Sequence, residues 1–350
     1  MIKVSTKLWI GPLLVGMLVA CSGKPTTPTL APVAPPTVEV VTVAPTLTPA
    51  PTLPPVPTPV TLGGDNPAIQ MDLVGKITSS PVPFAEVRGV ALDQAGNLYV
   101  VDYGNSRVLK YDPNGKFLLQ WGSPGTGDGQ FDMSGHATGF VAVDSQGNVF
   151  VTETHRVQKF DSNGKFLLKW GTEGTGDSQF SLALAIAIDR QDHIYIVDIK
   201  NNDVQVFDNS GKFLLRWGEE GSGEGQFKRP ASVAIDQQGN VLVADVDTGR
   251  LQKFDNTGKL LSWVYLGAVN HKVIGPIALA VDDKGQLYVG EYANGRVTMF
   301  DSSGKLLAVW GDSGSYADQM SESGGLALGK DGSVYVSDAF YHRVLKYRQH

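Results

Sequence analysis

Six acidic residues recur along the chain at nearly even intervals: Asp102, Glu153, Asp198, Asp245, Glu291 and Asp338. Carboxylates delivered to one ring could hold a metal or move protons. Five of them, however, are followed a few residues later by an arginine: Arg107, Arg156, Arg250, Arg296 and Arg343. A carboxylate and a guanidinium facing each other across a short hairpin make a bidentate pair. The expected role of Asp102–Arg107, Glu153–Arg156, Asp245–Arg250, Glu291–Arg296 and Asp338–Arg343 is therefore structural. In the third copy Asp203 stands where the arginine should be, leaving Lys200 as the nearest substitute partner for Asp198. A residue present in every copy answers a need of every copy, so a binding site is expected where the pattern breaks.

The histidines give little chemistry. His350 is terminal and His193 sits in a turn, while His136, His155, His271 and His342 lie in separate loops without ligand spacing. Zinc needs three or four converging ligands, so neither a metal site nor a cofactor is expected. A single cysteine, Cys21, excludes an internal disulfide. It follows Lys3, Lys7 and an apolar run, Leu8 to Ala20, that is short for a bilayer span. Leu18-Val19-Ala20-Cys21 resembles a bacterial lipobox, which makes 1–20 a lipoprotein signal peptide and Cys21 the lipidated (palmitate-bearing) mature terminus. More than one acyl chain anchors stably, so the expected location is the extracytoplasmic face of the cell membrane, with contact through the lipid only. Residues 21–62 then form a disordered Pro/Thr-rich linker, whose charges are Lys24 and Glu39. At about 3.1 Å per residue, such a linker reaches on the order of 100 Å.

The elements that position the acids repeat with them. Ala91, Ala142, Ala187, Ala234, Ala280 and Ala327 each centre a short apolar strand, at a period of 45 to 51 residues. Small alanines suit an innermost strand, where neighbouring sheets converge. A turn then leads to a second strand ending in the acid, and a loop to a third, Arg107 to Tyr111 in the first copy. Asp112-Pro113-Asn114-Gly115-Lys116 fits a type I turn with a left-handed glycine, and a fourth strand ends in Trp121-Gly122. Tyr111, Phe160, Phe207, Phe254, Phe300 and Tyr347, with Trp121, Trp170, Trp217 and Trp310, alternate with polar residues as core. The fold class expected for 63–350 is all-β, a six-bladed β-propeller of four-stranded antiparallel blades. The sixth copy stops at His350 one strand short. Ile69 to Gly75 is expected to supply that strand beside Arg343 to Tyr347, so that an N-terminal strand closes the last blade and removes two sheet edges.

The runs Trp121-Gly122 through Gly129-Gln130-Phe131, Trp170-Gly171 through Gln179-Phe180, and Trp217-Gly218 through Gln226-Phe227 resemble NHL repeats, as do Val101 to Val108 and its copies. The resemblance covers about Asn66 to His350. It implies fold far more than activity, since similar propellers include binding modules, sensors and a few enzymes. Relatives of the peptidyl-hydroxyglycine lyase kind hold zinc with inner-strand histidines, but the comparable positions here are Arg88, Gly139, Leu184, Ala231, Ile277 and Gly324. Likeness to lactonases or streptogramin lyases implies a metal-dependent lyase or lactonase at the channel mouth, with His136 and Glu86 or Glu322 as conceivable participants.

The channel mouth is the expected ligand-binding place, through Glu86, Arg88, His136, Lys228, Arg229 and Glu322. The net charge of −6, with acids such as Asp128, Asp177 and Glu224 in the loops, argues against nucleic acid. The leading expectation is a membrane-tethered, monomeric binding or sensing module for a protein, peptide or saccharide ligand. The metal-dependent enzyme is the alternative.

Overall fold

The computed structural model describes residues 69–77, 83–133, 139–266, 268–269, 272–273, 275–292, 295–311 and 323–350. The expected signal peptide, Cys21 and the Pro/Thr-rich linker lie outside these residues. Six four-stranded antiparallel meanders follow one another. Blade one is Val87–Leu92, Leu98–Asp102, Arg107–Tyr111 and Phe117–Trp121. Blades two to five open at Val141, Ala183, Pro230 and Pro276 and end at Trp170, Trp217, Tyr265 and Trp310. Blade six takes Ser323–Leu328, Val334–Asp338 and Arg343–Gln349 from the C-terminal end of the chain and Met71–Ile77 from ahead of blade one.

Met71 lies opposite Gln349 and Ile77 opposite Val344, with a bulge between Leu73 and Gly75 that re-aims the strand. The closing strand expected from the sequence is thus present, shifted by two residues. The six innermost strands lie side by side in an unbroken circle, the last against the first. Blade one meets blade two so closely there that a Cβ on Gly89 would stand 2.6 Å from the Phe140 Cα. The Gly89 amide donates to the Gly139 carbonyl at 3.0 Å in the same place, a contact only glycine permits.

Second and third strands are buried on both faces in nearly every blade, whereas fourth strands alternate, as Phe117–Trp121 does. The core therefore lies between blades. In blades one, two, three and five the last-residue tryptophan of the fourth strand meets an aromatic ring of its own blade and one of the next. Trp121 is 6.2 Å from Tyr99 and 5.8 Å from Phe160; Trp170 is 6.2 Å from Phe150 and 5.6 Å from Phe207. The turns between strands three and four form as the sequence implies: the Gly115 amide donates to the Asp112 carbonyl at 2.9 Å, with Gly115 at φ +80°. The Asp112 carboxylate takes the Asn114 and Lys116 amides as well.

Candidate functional site

All six second-strand acids are fully buried. A buried carboxylate must be compensated by hydrogen bonds or counter-charge, and the blades achieve this in two ways. In blades one, two, five and six the arginine does it. Arg107 lies 2.8 Å from Asp102, Arg296 2.8 Å from Glu291 and Arg343 2.8 Å from Asp338. Arg156 binds Glu153 through both oxygens, at 2.9 and 3.0 Å. Burial still pushes the Glu153 carboxyl upward, against the pull of Arg156 and the Asp132 amide.

Blade four corrects the expectation for Asp245 and Arg250. The two residues face each other in register, but no ion pair joins them. Asp245 instead accepts backbone amides, from Lys228 at 2.7 Å and from Arg229, Asp247 and Thr248 at 3.2 Å each. The guanidinium turns to loop carbonyls, those of Ser222 at 2.8 Å and Gly223 and Gln226 at 3.1 Å, under the Trp263 ring. Four converging amides satisfy the carboxylate, and three carbonyls satisfy the cation.

At the mouth, Glu86 and Arg88 pair within blade one, with Nε donating to Oε1 at 2.7 Å and the guanidinium 5.8 Å from the Tyr103 ring centre. The Arg88 carbonyl accepts the Ser337 hydroxyl at 2.5 Å, tying blade six to blade one. Lys228 and Arg229 are exposed on blade four, and Arg229 holds Asp247 at 2.8 Å. No ion pair or hydrogen bond joins the blade-one pair to the blade-four pair. His136 and Glu322 lie outside the described residues, as does His271. Among the described residues, no three His, Cys, Asp or Glu side chains gather as a metal-binding group.

Comparisons with known proteins agree with the propeller fold. Residues 84–111 match the NHL repeat and residues 188–275 match a family described as a 6-bladed beta-propeller. The chain is a six-bladed β-propeller that carries an NHL repeat. Among solved structures, the propeller resembles a streptogramin B lyase at 14% identity and TM-score 0.56, over 80% of this chain and 98% of that one. It resembles a gluconolactonase from Xanthomonas campestris at 15% identity and TM-score 0.57, over 85% and 99%. A protein of unknown function from Bacteroides thetaiotaomicron matches at 14% identity and TM-score 0.60, over 80% and 76%. At such identities the likeness is one of fold. No curated protein matches the chain.

Two features of the propeller escaped the sequence reading. The first is the substitute for the missing arginine in blade three. Lys200 contributes only its amide to Asp198, at 3.0 Å; amides of Ser181, Leu182 and Asn201 supply the rest. The cation comes from the fourth strand: Arg216 donates to the Thr175 carbonyl at 2.7 Å, the loop position that Arg156 and Arg250 serve in blades two and four. It lies only 3.9 Å from Asp203, one of whose oxygens is buried without a hydrogen-bond partner. Burial, with the neighbouring Asp198 charge, pushes the Asp203 carboxyl up to about 7.

The second is a glutamine clasp on the loops that enter blades two, three and four. Gln158, Gln205 and Gln252 are fully buried. Each accepts one loop amide at 2.9 Å, from Gly129, Ser178 and Gly225. Each also donates to the carbonyl of Gln130, Gln179 or Gln226, at 2.6 to 2.8 Å. The sequence held a signal for this. Glutamine occupies this third-strand position only in the blades entered by a Gln-Phe loop, and Leu109, Thr298 and Leu345 replace it elsewhere.

Proposed function

We propose that the protein is a membrane-tethered, extracytoplasmic binding module that presents a rigid propeller surface to a protein, peptide or saccharide. The observation that supports this best is the fate of the ring-wide acids. Amides and arginines take up all six carboxylates, so they serve the frame and not a substrate. The Lys228–Arg229–Asp247 cluster, by contrast, is exposed on a loop face held in place by buried bonds, a surface suited to a partner. Cys21 carries the lipid and the 21–62 linker sets the reach.

A photo-reactive residue at Lys228 tests this in intact cells. One discrete adduct is expected from that position and none from Leu118 on the blade rim, together with palmitate labelling that C21S abolishes. The absence of an adduct at Lys228 would count against the module.

The second reading, a metal-dependent lyase or lactonase at the mouth, draws on the propellers of that activity to which this one is similar in fold. It predicts a stoichiometric divalent ion in the purified protein that E86Q or E322Q removes. An ion retained by both variants would sink it.

A further inference from the structure

Blade four breaks the pattern of the core as well as that of the ion pairs. In blades one, two, three and five, the fourth-strand residue opposite the first apolar residue of strand three is tryptophan: Val108 faces Trp121, Val157 faces Trp170, Val204 faces Trp217 and Val297 faces Trp310. In blade four, Leu251 faces Val264. The tryptophan has moved one residue back, to Trp263, and a one-residue move in a strand sends a side chain to the other face of the sheet. Trp263 accordingly meets Arg250 and Tyr265.

The ring that each tryptophan leans on in its own blade is Tyr99, Phe150, Tyr195 or Tyr288; blade four has Leu242 there. Two aromatic rings are thus replaced by aliphatic side chains at one junction. Blade six also lacks the tryptophan, but its Ile77 reaches within 3.8 Å of where a Cβ on Gly115 would stand, and it keeps Tyr335.

The consequence shows on both sides of the junction between blades four and five. Phe160, Phe207, Phe254 and Tyr347 each stack against the tryptophan of the preceding blade, at 5.6 to 6.1 Å. Phe300 has no aromatic neighbour among the described residues. A cleft of about 420 Å³ opens there, walled by Leu242, Leu251, Val264, Phe300 and Gly304, a volume typical of small-molecule sites. Trp121, Trp170 and Trp217 lie 2.7 to 2.9 Å from where a Cβ would stand on Gly164, Gly211 and Gly258. Gly304 holds the same turn position and lines the cleft. A wider cleft between blades five and six keeps both Tyr288 and Trp310 and has no vacated ring slot.

We propose that the cleft between blades four and five binds a planar aromatic ring of indole size, in the slot that other blades fill with their own tryptophan. The four resident indoles define what fits. None of their N–H groups has a hydrogen-bond partner, so the slot selects by shape and by edge or tilted contact with a phenyl ring. The rim carries Asp236, Asp283 and Asp301 against Lys253 and Lys284, and Asp236 is committed to Lys253 at 2.8 Å. That excess of carboxylate favours a ring with a cationic tail. The cleft runs along the fourth strand of blade four, from the turns joining strands one to two and three to four up to Leu266, and none of Lys228, Arg229 and Asp247 lines it, so it is distinct from the binding surface proposed above.

Equilibrium dialysis of the full-length chain in detergent, with tryptamine as probe, tests the proposal. V264W returns the ring to its slot and its micelle uptake matches that of the unaltered chain, so micelle uptake cancels. Saturable binding at least tenfold weaker in V264W is expected, with tryptamine preferred over indole-3-acetate. No saturable binding, or equal binding by V264W, would overturn the site; equal affinity for indole-3-acetate would overturn its charge preference. Should V264W fold poorly, methyl spectra of the unaltered protein decide the matter. Tryptamine must shift the Leu242, Leu251 and Val264 methyls, and unshifted methyls would reject the cleft.

Discussion

At the residue scale, the same pair of residue types has two different energetic meanings in this ring. Asp102 and Arg107 are bonded to each other, and Asp245 and Arg250 are bonded to the backbone. Double-mutant cycles on stability separate the two cases. Coupling of about 1–3 kcal/mol is expected for Asp102 with Arg107, and under about 0.5 kcal/mol for Asp245 with Arg250. Equal couplings would contradict the bonding pattern.

Asp203 makes a second test. Its folded-state pKa, about 7, lies above the ordinary aspartate value, because burial and Asp198 disfavour the charge. The folded chain therefore holds this proton more tightly than the unfolded chain. The favourable contribution is complete below the unfolded value and is lost as pH rises through about 7. D203N should stabilise the protein progressively from pH 4.5 to pH 8, by roughly 2–3 kcal/mol over that span. A gain independent of pH in urea titrations would show that Asp203 does not carry the effect.

At the element scale, strand order and turn chemistry were legible in the sequence because they are repeated. Ala91 and its copies and the Asp112–Lys116 turn and its copies each state the same local solution several times over. What stayed hidden was compensation between elements. The Arg216 guanidinium replaces a third-strand arginine from the fourth strand, a swap visible only once the two strands are paired. Asp245 looked like its relatives because residue type and spacing are unchanged; loop amides reach Asp102 as well, and what differs in blade four is that Arg250 turns to loop carbonyls. The glutamine clasp was readable in principle, since Gln158, Gln205 and Gln252 co-occur with the Gln-Phe loops. Q205A removes a buried donor and acceptor together and leaves the Ser178 amide and Gln179 carbonyl unpaired. A loss of about 2–4 kcal/mol in chemical denaturation is expected. Hydrogen exchange should rise within 171–180 and not in the corresponding loop of blade two.

At the scale of the whole molecule, the departures from sixfold repetition carry the functional reading. The exposed charges of blade four lie on its loops and the vacated indole slot lies at its junction with blade five, and both follow from sheets arranged in one closed ring. The same ring sets which strand is innermost, which acids are buried and which loops share a face. The last blade is completed by one strand pairing, Met71–Ile77 with Arg343–Gln349, in which Asp72 lies opposite Arg348. The most direct measurement is a short bismaleimide cross-link in a D72C/R348C chain that also carries C21S. Efficient intramolecular cross-linking of the native protein is expected, abolished in denaturant, with a raised melting temperature once the link is made. Absence of the link in the native protein, or its formation only between chains, would contradict the closed ring and every assignment of face and junction that depends on it.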